Sequence, residues 1–300
     1  MNLELFPGLV ASSPPEKLPA AMWPKPRDAS ITVDLTVDAE PLAAVVEAVR
    51  EAGYRVTPTA IVVRAIGDVL DEFPDLNVDL RGGKLRQRNA IDTWVTMTDA
   101  EGRLTGRRVD ELHERDLLDV QEEITQHGEA HRSGDKTSSK AIHTIVQYTP
   151  LVVLRAAVRV LEFLIHTLRL PLGAFGVDRE GTGAVHVTNV GPFGFRHAAA
   201  PIPPITANAY LVTVGEIHEA PVVHEGEIEA RRVLPITGTI DHRAVVGLNA
   251  GPWAAYFEQQ LTDPEALVGY LPGEVAAEID LGDLPEAGEA KANLSPQFSL

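Results

Sequence analysis

Arg231-Arg-Val-Leu-Pro-Ile-Thr-Gly-Thr-Ile240 runs directly into Asp241-His242-Arg243-Ala244-Val245-Val246-Gly247. Val, Ile and Thr dominate the first ten of these residues, the composition of an extended, half-buried strand. Gly247 then permits a turn, and the apolar spacing from Pro252 to Leu261 predicts a helix. A side chain at such a junction can point from a rigid sheet edge into a cleft. His242 is therefore the candidate general base, although Asp241 and Arg243 forming a structural ion pair, with His242 as a spacer, would suit the same spacing.

Outward from this stretch, Ala184 to Val190 and Tyr210 to Ile217 are also rich in β-branched residues and bounded by Gly and Pro, so both read as strands. The first ends in Val187-Thr188-Asn189-Val190-Gly191-Pro192-Phe193-Gly194. Thr188 and His242 together offer a hydroxyl donor and a neutral base, the minimal equipment for direct acyl transfer. Further upstream, Ile31 to Leu35 alternates with period two, and Asp38 is expected to cap a helix carrying Leu42, Val45, Val46 and Val49. Thr57-Pro58 opens a second helix through Leu70, stopped at Phe73-Pro74. Ala90 to Thr98 reads as a strand, Val109 to His127 as a helix with a solvated acidic face, and His131 to Lys140 as a loop. The apolar stretch Pro150 to Leu172 is read as a buried helix. Arg155, Arg159, Glu162, His166 and Arg169 would be costly inside a bilayer.

Composition narrows the function. The 43 acidic against 26 basic residues leave a formal charge of −17, which opposes nucleic-acid or anionic-membrane binding. Zero cysteines remove disulfides, thiolate metal sites and a cysteine nucleophile. No export leader is visible at the N-terminus, so a cytoplasmic location is expected. Residues 1–28 carry six prolines and are expected to form an arm, residues 29–282 the functional domain, and residues 283–300 a flexible tail.

These motifs resemble one family. Asp241-His242-Arg243 with Gly247 is similar to the D-H-R-x-x-D-G signature of the acyltransferase catalytic domain of 2-oxo acid dehydrogenase complexes, whose fold is shared with chloramphenicol acetyltransferase. Thr188-Asn189-Val190-Gly191 with Phe193-Gly194 resembles its S-N-L-G-x-F-G stretch, and Ala200 to Pro204 followed by Tyr210 to Ile217 resembles its proline-rich turn and strand. Weaker likeness reaches back through Thr57 to Asn77. The resemblance implies an α/β two-layer sandwich with a mixed central sheet and flanking helices, assembled as a homotrimer. It further implies that His242 is the general base and Thr188 the oxyanion donor, each active site taking these two from different subunits. The co-substrate would be acetyl-CoA or another acyl-CoA, with no metal and no acyl-enzyme.

Two departures shape the expected function. Val246 stands where the family has an aspartate that holds the local loop. Neither a lipoyl domain nor a subunit-binding domain fits before Ile31, so no covalently bound lipoate is expected. The resemblance then favours a stand-alone O-acyltransferase acting on a small-molecule hydroxyl. Similar free-standing proteins serve bacterial secondary metabolism, including tetronate pathways in which a polyketide-derived hydroxymethyl group is acetylated. The alternatives are the dihydrolipoamide acyltransferase of a dehydrogenase complex and a non-catalytic trimeric scaffold. A neutral histidine base works above the ordinary imidazole pKa of about 6.5, so acid is expected to stop turnover. Arg64, Arg103, Arg107, Arg108, Arg196, Arg231 and Arg232 are the cations available for the CoA anion.

Overall fold

The computed structural model describes residues 29–81, 84–98, 104–133, 148–164, 182–203, 206–224, 226–244 and 250–286. Nine strands and seven helices are present among them, joined by short 3-10 turns. Strand β1 (Ser30–Asp38) is followed by helices α1 (Glu40–Glu51) and α2 (Pro58–Glu72). A two-stranded ribbon, β2 (Val78–Arg81) with β3 (Lys84–Gln87), precedes β4 (Thr93–Thr98) and β5 (Leu104–Val109). After α3 (Leu117–Ser133) and α4 (Leu151–Glu162) come β6 (Val185–Asn189), β7 (Tyr210–Val214), β8 (His218–His224) and β9 (Glu227–Asp241). Helices α5 (Ala250–Thr262), α6 (Pro264–Gly269) and α7 (Gly273–Ala276) close the described chain.

Seven strands form one sheet in the order β1-β9-β7-β6-β4-β5, with β8 paired to β9 off this path. β6 runs parallel to both β4 and β7, and the remaining pairs are antiparallel, so the sheet is mixed. β9 has two parts. Residues 233–241 pair with β1 inside the sheet, while residues 227–233 pair with β8 as a projecting hairpin whose Val223 and Ile228 are exposed.

Helices pack on one face of this sheet. Val37, Leu234 and Val187 from the strands meet Leu42, Val45, Ile61 and Leu261 from the helices, all fully buried in one core. Burying one such aliphatic side chain stabilises the fold by about 1.5–3 kcal/mol, which is what sets the strand register. Two arginines of β9 tie it to the start of α1, with Arg231 Nε donating to Asp38 at 2.8 Å and Arg232 Nη2 to Glu40 at 2.7 Å. Asn77, from the Phe73-Pro-x-Leu-Asn run, is buried and donates to the Ala90 carbonyl at 3.1 Å, which steers the chain into β4.

The mixed sheet with flanking helices is the architecture expected from sequence. Thr57 caps α2 as expected, its hydroxyl accepting from the Ala60 amide, and Phe73-Pro74 ends that helix. Asp38 departs from expectation. It closes β1, Ala39 holds the cap position of α1, and the Asp38 carboxylate accepts from the Glu40 amide while facing Arg231. The segment expected as a helix from Val109 instead begins as the last residue of β5, and α3 starts only at Leu117. Asp116 accepts from the Asp119 amide there at 2.9 Å, so the local cap fixes the start. The loop expected from His131 is helical through Ser133, and residues 134–140 lie outside the described part. The stretch read as a buried helix is α4, of which only Leu154 and Val158 are buried. Val152, Val153, Val160 and Phe163 are exposed on it, so its apolar content is not absorbed by this chain's core; residues 165–172 lie outside the described part. β2, β3, β5 and β8 are strands that the sequence reading does not contain. The arm at 1–28 and most of the tail at 283–300 also fall outside the described residues.

Candidate active site

His242 follows immediately on the last residue of β9. Its backbone is held on both sides: the His242 amide donates to the Ala29 carbonyl and the Asp241 amide to the Ala209 carbonyl, each at 2.8 Å. Its side chain is exposed. Asp241 accepts from the Arg243 amide at 3.0 Å and from Arg243 Nε at 2.9 Å, so the ion pair that the sequence allowed does form, bridging across the histidine. Burial would lift the Asp241 carboxyl, but the Arg243 hydrogen bonds and charge outweigh it and hold the group below the usual carboxylate range. The pair thus stiffens the turn that carries His242. Val246 and Gly247 lie outside the described residues.

Thr188 is half-buried on β6, on the face turned away from the core helices. Side chains alternate along a strand, and its neighbour Asn189 points to the helix side. Asn189 Nδ2 donates to Thr59 Oγ1 of α2 at 2.7 Å, and its Oδ1 accepts from the Gly191 amide at 2.8 Å. The Thr-Asn-x-Gly motif therefore divides its labour: the amide fastens the turn to a helix and leaves the hydroxyl outside. Gly191 is required by close approach, since a Cβ there would lie 2.9 Å from the Gly215 carbonyl oxygen.

Register places Thr188 in a row of hydroxyls. Thr96 of β4 pairs with Thr188, Thr188 with Thr213 of β7, and Thr213 with Thr237 of β9. Thr237 Oγ1 donates to Asp34 of β1 at 2.8 Å, closing the row at the sheet edge. Thr213 is 1% exposed and its hydroxyl has no hydrogen-bond partner among the described residues. One register level away, His186 lies beside this row with Nε2 against the Thr96 hydroxyl and Nδ1 unpartnered. Burial lowers the His186 pKa to about 4, so this imidazole is neutral at physiological pH.

The row went unread in the sequence, yet its signal is there. Val95-Thr96, Val187-Thr188, Val212-Thr213 and Ile236-Thr237 are four repeats of an aliphatic residue followed by threonine, one per strand. Alternation sends the aliphatic side to the core and the threonine outward. What the sequence lacks is the register that aligns them.

Within one chain Thr188 and His242 are not neighbours. His242 lies five residues beyond Thr237, the register equivalent of Thr188 two strands away. At about 3.3 Å per residue and roughly 4.8 Å between strands, their backbones stand about 19 Å apart.

Of the arginines available for an anion, Arg64, Arg107, Arg108, Arg231 and Arg232 each face a carboxylate. Arg196, exposed on the turn after Thr188, has no carboxylate partner among the described residues, and the Arg103 side chain lies outside them. No group of His, Asp and Glu able to hold a metal ion occurs among the described residues. No helix among them is long and apolar enough to cross a membrane.

Comparison with known proteins places residues 177–269 on the model for 2-oxoacid dehydrogenases acyltransferase (catalytic domain). That span includes both Thr188 and His242. The dihydrolipoyllysine-residue acetyltransferase component of the acetoin cleaving system of Bacillus subtilis (strain 168) is 32% identical over 97 residues. The match takes in 32% of this chain and about a quarter (24%) of that protein's length. Among solved structures, a probable dihydrolipoamide acetyltransferase from Listeria monocytogenes 4b F2365 is 20% identical with a TM-score of 0.60, covering 83% of this chain and 89% of that one. The Azotobacter vinelandii dihydrolipoamide acetyltransferase, solved to investigate a serine, a histidine and an asparagine in its catalytic mechanism, is 16% identical with a TM-score of 0.62. It covers 89% of this chain and 98% of its own. The chain thus has the fold of these acetyltransferase cores.

Proposed function

We propose that this chain is an acyltransferase that moves an acyl group, acetyl in the simplest case, from acyl-CoA directly to the hydroxyl of a small molecule. His242 is the general base and Thr188 the oxyanion donor, and the two meet across the interface between protomers of a homotrimer. The observation that carries this reading is the pair's placement. Each sits on a stiffened strand end, open on the side away from the core, and too far apart to act within one chain. Exposed apolar residues of α4 and of the β8–β9 hairpin supply surface for the assembly. In the Azotobacter enzyme the named histidine follows the named serine by 52 positions; here His242 follows Thr188 by 54.

The chemistry follows from the two groups. The acceptor hydroxyl gives its proton to the neutral imidazole of His242 as its oxygen attacks the thioester carbonyl. Thr188 donates a hydrogen bond to the oxyanion that forms, an effect of about 3 kcal/mol for one such donor. Collapse breaks the carbon–sulfur bond, and the imidazolium returns its proton to the CoA thiolate. Thr96 and Thr213 flank Thr188 at the same level of the sheet. A polyketide-derived hydroxymethyl group, as in tetronate biosynthesis, is the acceptor we propose first.

The names of the Bacillus, Listeria and Azotobacter proteins favour a second reading, in which dihydrolipoamide is the acceptor. In the Azotobacter enzyme an asparagine stands four positions after the histidine, where this chain has Val246, so the loop beyond the base differs. Mass spectrometry of acetyl-CoA reactions with a panel of alcohols and with dihydrolipoamide decides between the two. We expect O-acetylated product from an alcohol, and a loss of about a hundredfold to ten-thousandfold in turnover for His242→Ala with the melting temperature unchanged. Full activity in His242→Ala would remove the mechanism, and S-acetylation alone would favour the second reading. No transfer to any acceptor would point to a non-catalytic scaffold.

A further inference from the structure

Two residues before Thr188 on β6, and on the same face of the sheet, stands His186. A histidine in the middle of a strand, 7% exposed, is uncommon enough to call for a role. Its Nε2 lies against the Thr96 hydroxyl of β4, while its Nδ1 is buried without a hydrogen-bond partner among the described residues. The two ring nitrogens are therefore unequal.

Thr96 in turn stands level with Thr188 on the neighbouring parallel strand, so both side chains rise from one level of one face. Adjacent strands lie about 4.8 Å apart, and two hydroxyls so spaced can both reach one oxygen seated between them at about 2.7–3.1 Å. Exposure separates Thr96 from the rest of the row. Thr96 and Thr188 are half-buried, whereas Thr213 is 1% and Thr237 2% exposed and both are closed to an incoming molecule. The other level partner of Thr96 is Gly106 of β5, where the Trp94 indole occupies the place of a side chain, with Nε1 nearest. An indole N–H donates and does not accept, so the indole on this flank cannot take the Thr96 proton.

We infer that Thr96 is a second oxyanion donor beside Thr188, and that His186 is the positioning residue that holds its hydroxyl for that role. The inference rests on the acyl-transfer reading of Thr188. A neutral imidazole carries one N–H and one lone pair, and a buried N–H without an acceptor is tolerated less than an acceptor short of a donor. The proton accordingly sits on Nε2 and is donated to Thr96 Oγ1, leaving the lone pair on Nδ1. With its oxygen already accepting from His186, Thr96 has its own proton turned away from the imidazole, toward the Thr188 side. As the acceptor oxygen bonds to the thioester carbon, the carbonyl oxygen becomes the oxyanion and takes one hydrogen bond from each threonine. Both threonines keep their protons, and the carbonyl re-forms as the carbon–sulfur bond breaks.

Steady-state kinetics on the full chain test this, using acetyl-CoA with the acceptor, alcohol or dihydrolipoamide, that the wild type acetylates. Thr96→Val should lower kcat about a hundredfold with the KM for acetyl-CoA unchanged, and Thr96→Ser should regain most of that loss. Added to Thr188→Val, Thr96→Val should lower the residual rate about as much again; no further loss would mean that Thr96 acts only through Thr188 and would overturn the assignment. His186→Leu should lower kcat about tenfold, His186→Gln should regain most of it by restoring an N–H donor, and His186→Leu should add no loss to Thr96→Val. Long-range proton–nitrogen NMR of the His186 ring at neutral pH, a readout independent of turnover, should place the proton on Nε2. A proton on Nδ1 would overturn the orientation given to Thr96. Wild-type speed in a folded Thr96→Val would overturn this inference alone, whereas absence of transfer by the wild type would overturn the acyl-transfer reading together with it.

Discussion

At the scale of single residues, partner choice separates structure from function. Asn189 spends both ends of its amide on the fold, and Asp241 and Arg243 spend their charges on each other. Thr188 and His242, their sequence neighbours, are left facing outward. Arg196 stands apart in the same way from Arg64, Arg107, Arg108, Arg231 and Arg232, which are matched to carboxylates. We expect Arg196→Ala to raise the KM for acyl-CoA about five- to tenfold with kcat nearly unchanged, because a surface cation adds roughly 1 kcal/mol of uniform binding to a phosphate. Steady-state kinetics at two salt concentrations checks this, since the wild-type KM should rise with salt more than that of the variant. An unchanged KM would assign the CoA phosphates elsewhere.

At the scale of elements, the outer face of the sheet is polar where an ordinary core face would be apolar. His186 is the most informative member. Its folded pKa of about 4 lies below the unfolded value of about 6.5, so between these values the unfolded chain binds the extra proton. Stability therefore rises with pH through this window. Acidification from pH 6.5 to pH 4 should cost about 3 kcal/mol from this residue alone, with no further loss from it below pH 4. Urea unfolding at several pH values, compared with His186→Gln, measures the term. The variant should lose that part of the slope, and an identical pH dependence would mean that His186 is open to solvent when folded.

For the whole molecule, the helix layer closes one face of the sheet, while α4 and the β8–β9 hairpin keep large apolar side chains exposed. A homotrimer would cover such surface and bring Thr188 of one protomer to His242 of another. Two inactive variants test the arrangement. Thr188→Val and His242→Ala, unfolded together and refolded as a mixture, should regain roughly a quarter of wild-type activity by random assembly, whereas two groups of one chain would regain none. Sedimentation of a Val152→Glu, Val160→Glu double variant should show monomer that is folded and inactive. Much of this molecule was legible in its sequence. Period-two alternation marked β1, a Val, Ile and Thr composition bounded by Gly and Pro marked β6, β7 and the inner part of β9, the Thr57-Pro58 pair marked α2, and the strand-end motifs marked Thr188 and His242. These signals are local: a cap, a turn or a periodicity is written within ten residues or so. The threonine row and the distance between base and oxyanion donor were settled only when strands distant in the chain took their register. Which side chains share a level depends on long-range pairing and on core burial, and no short window of sequence contains either.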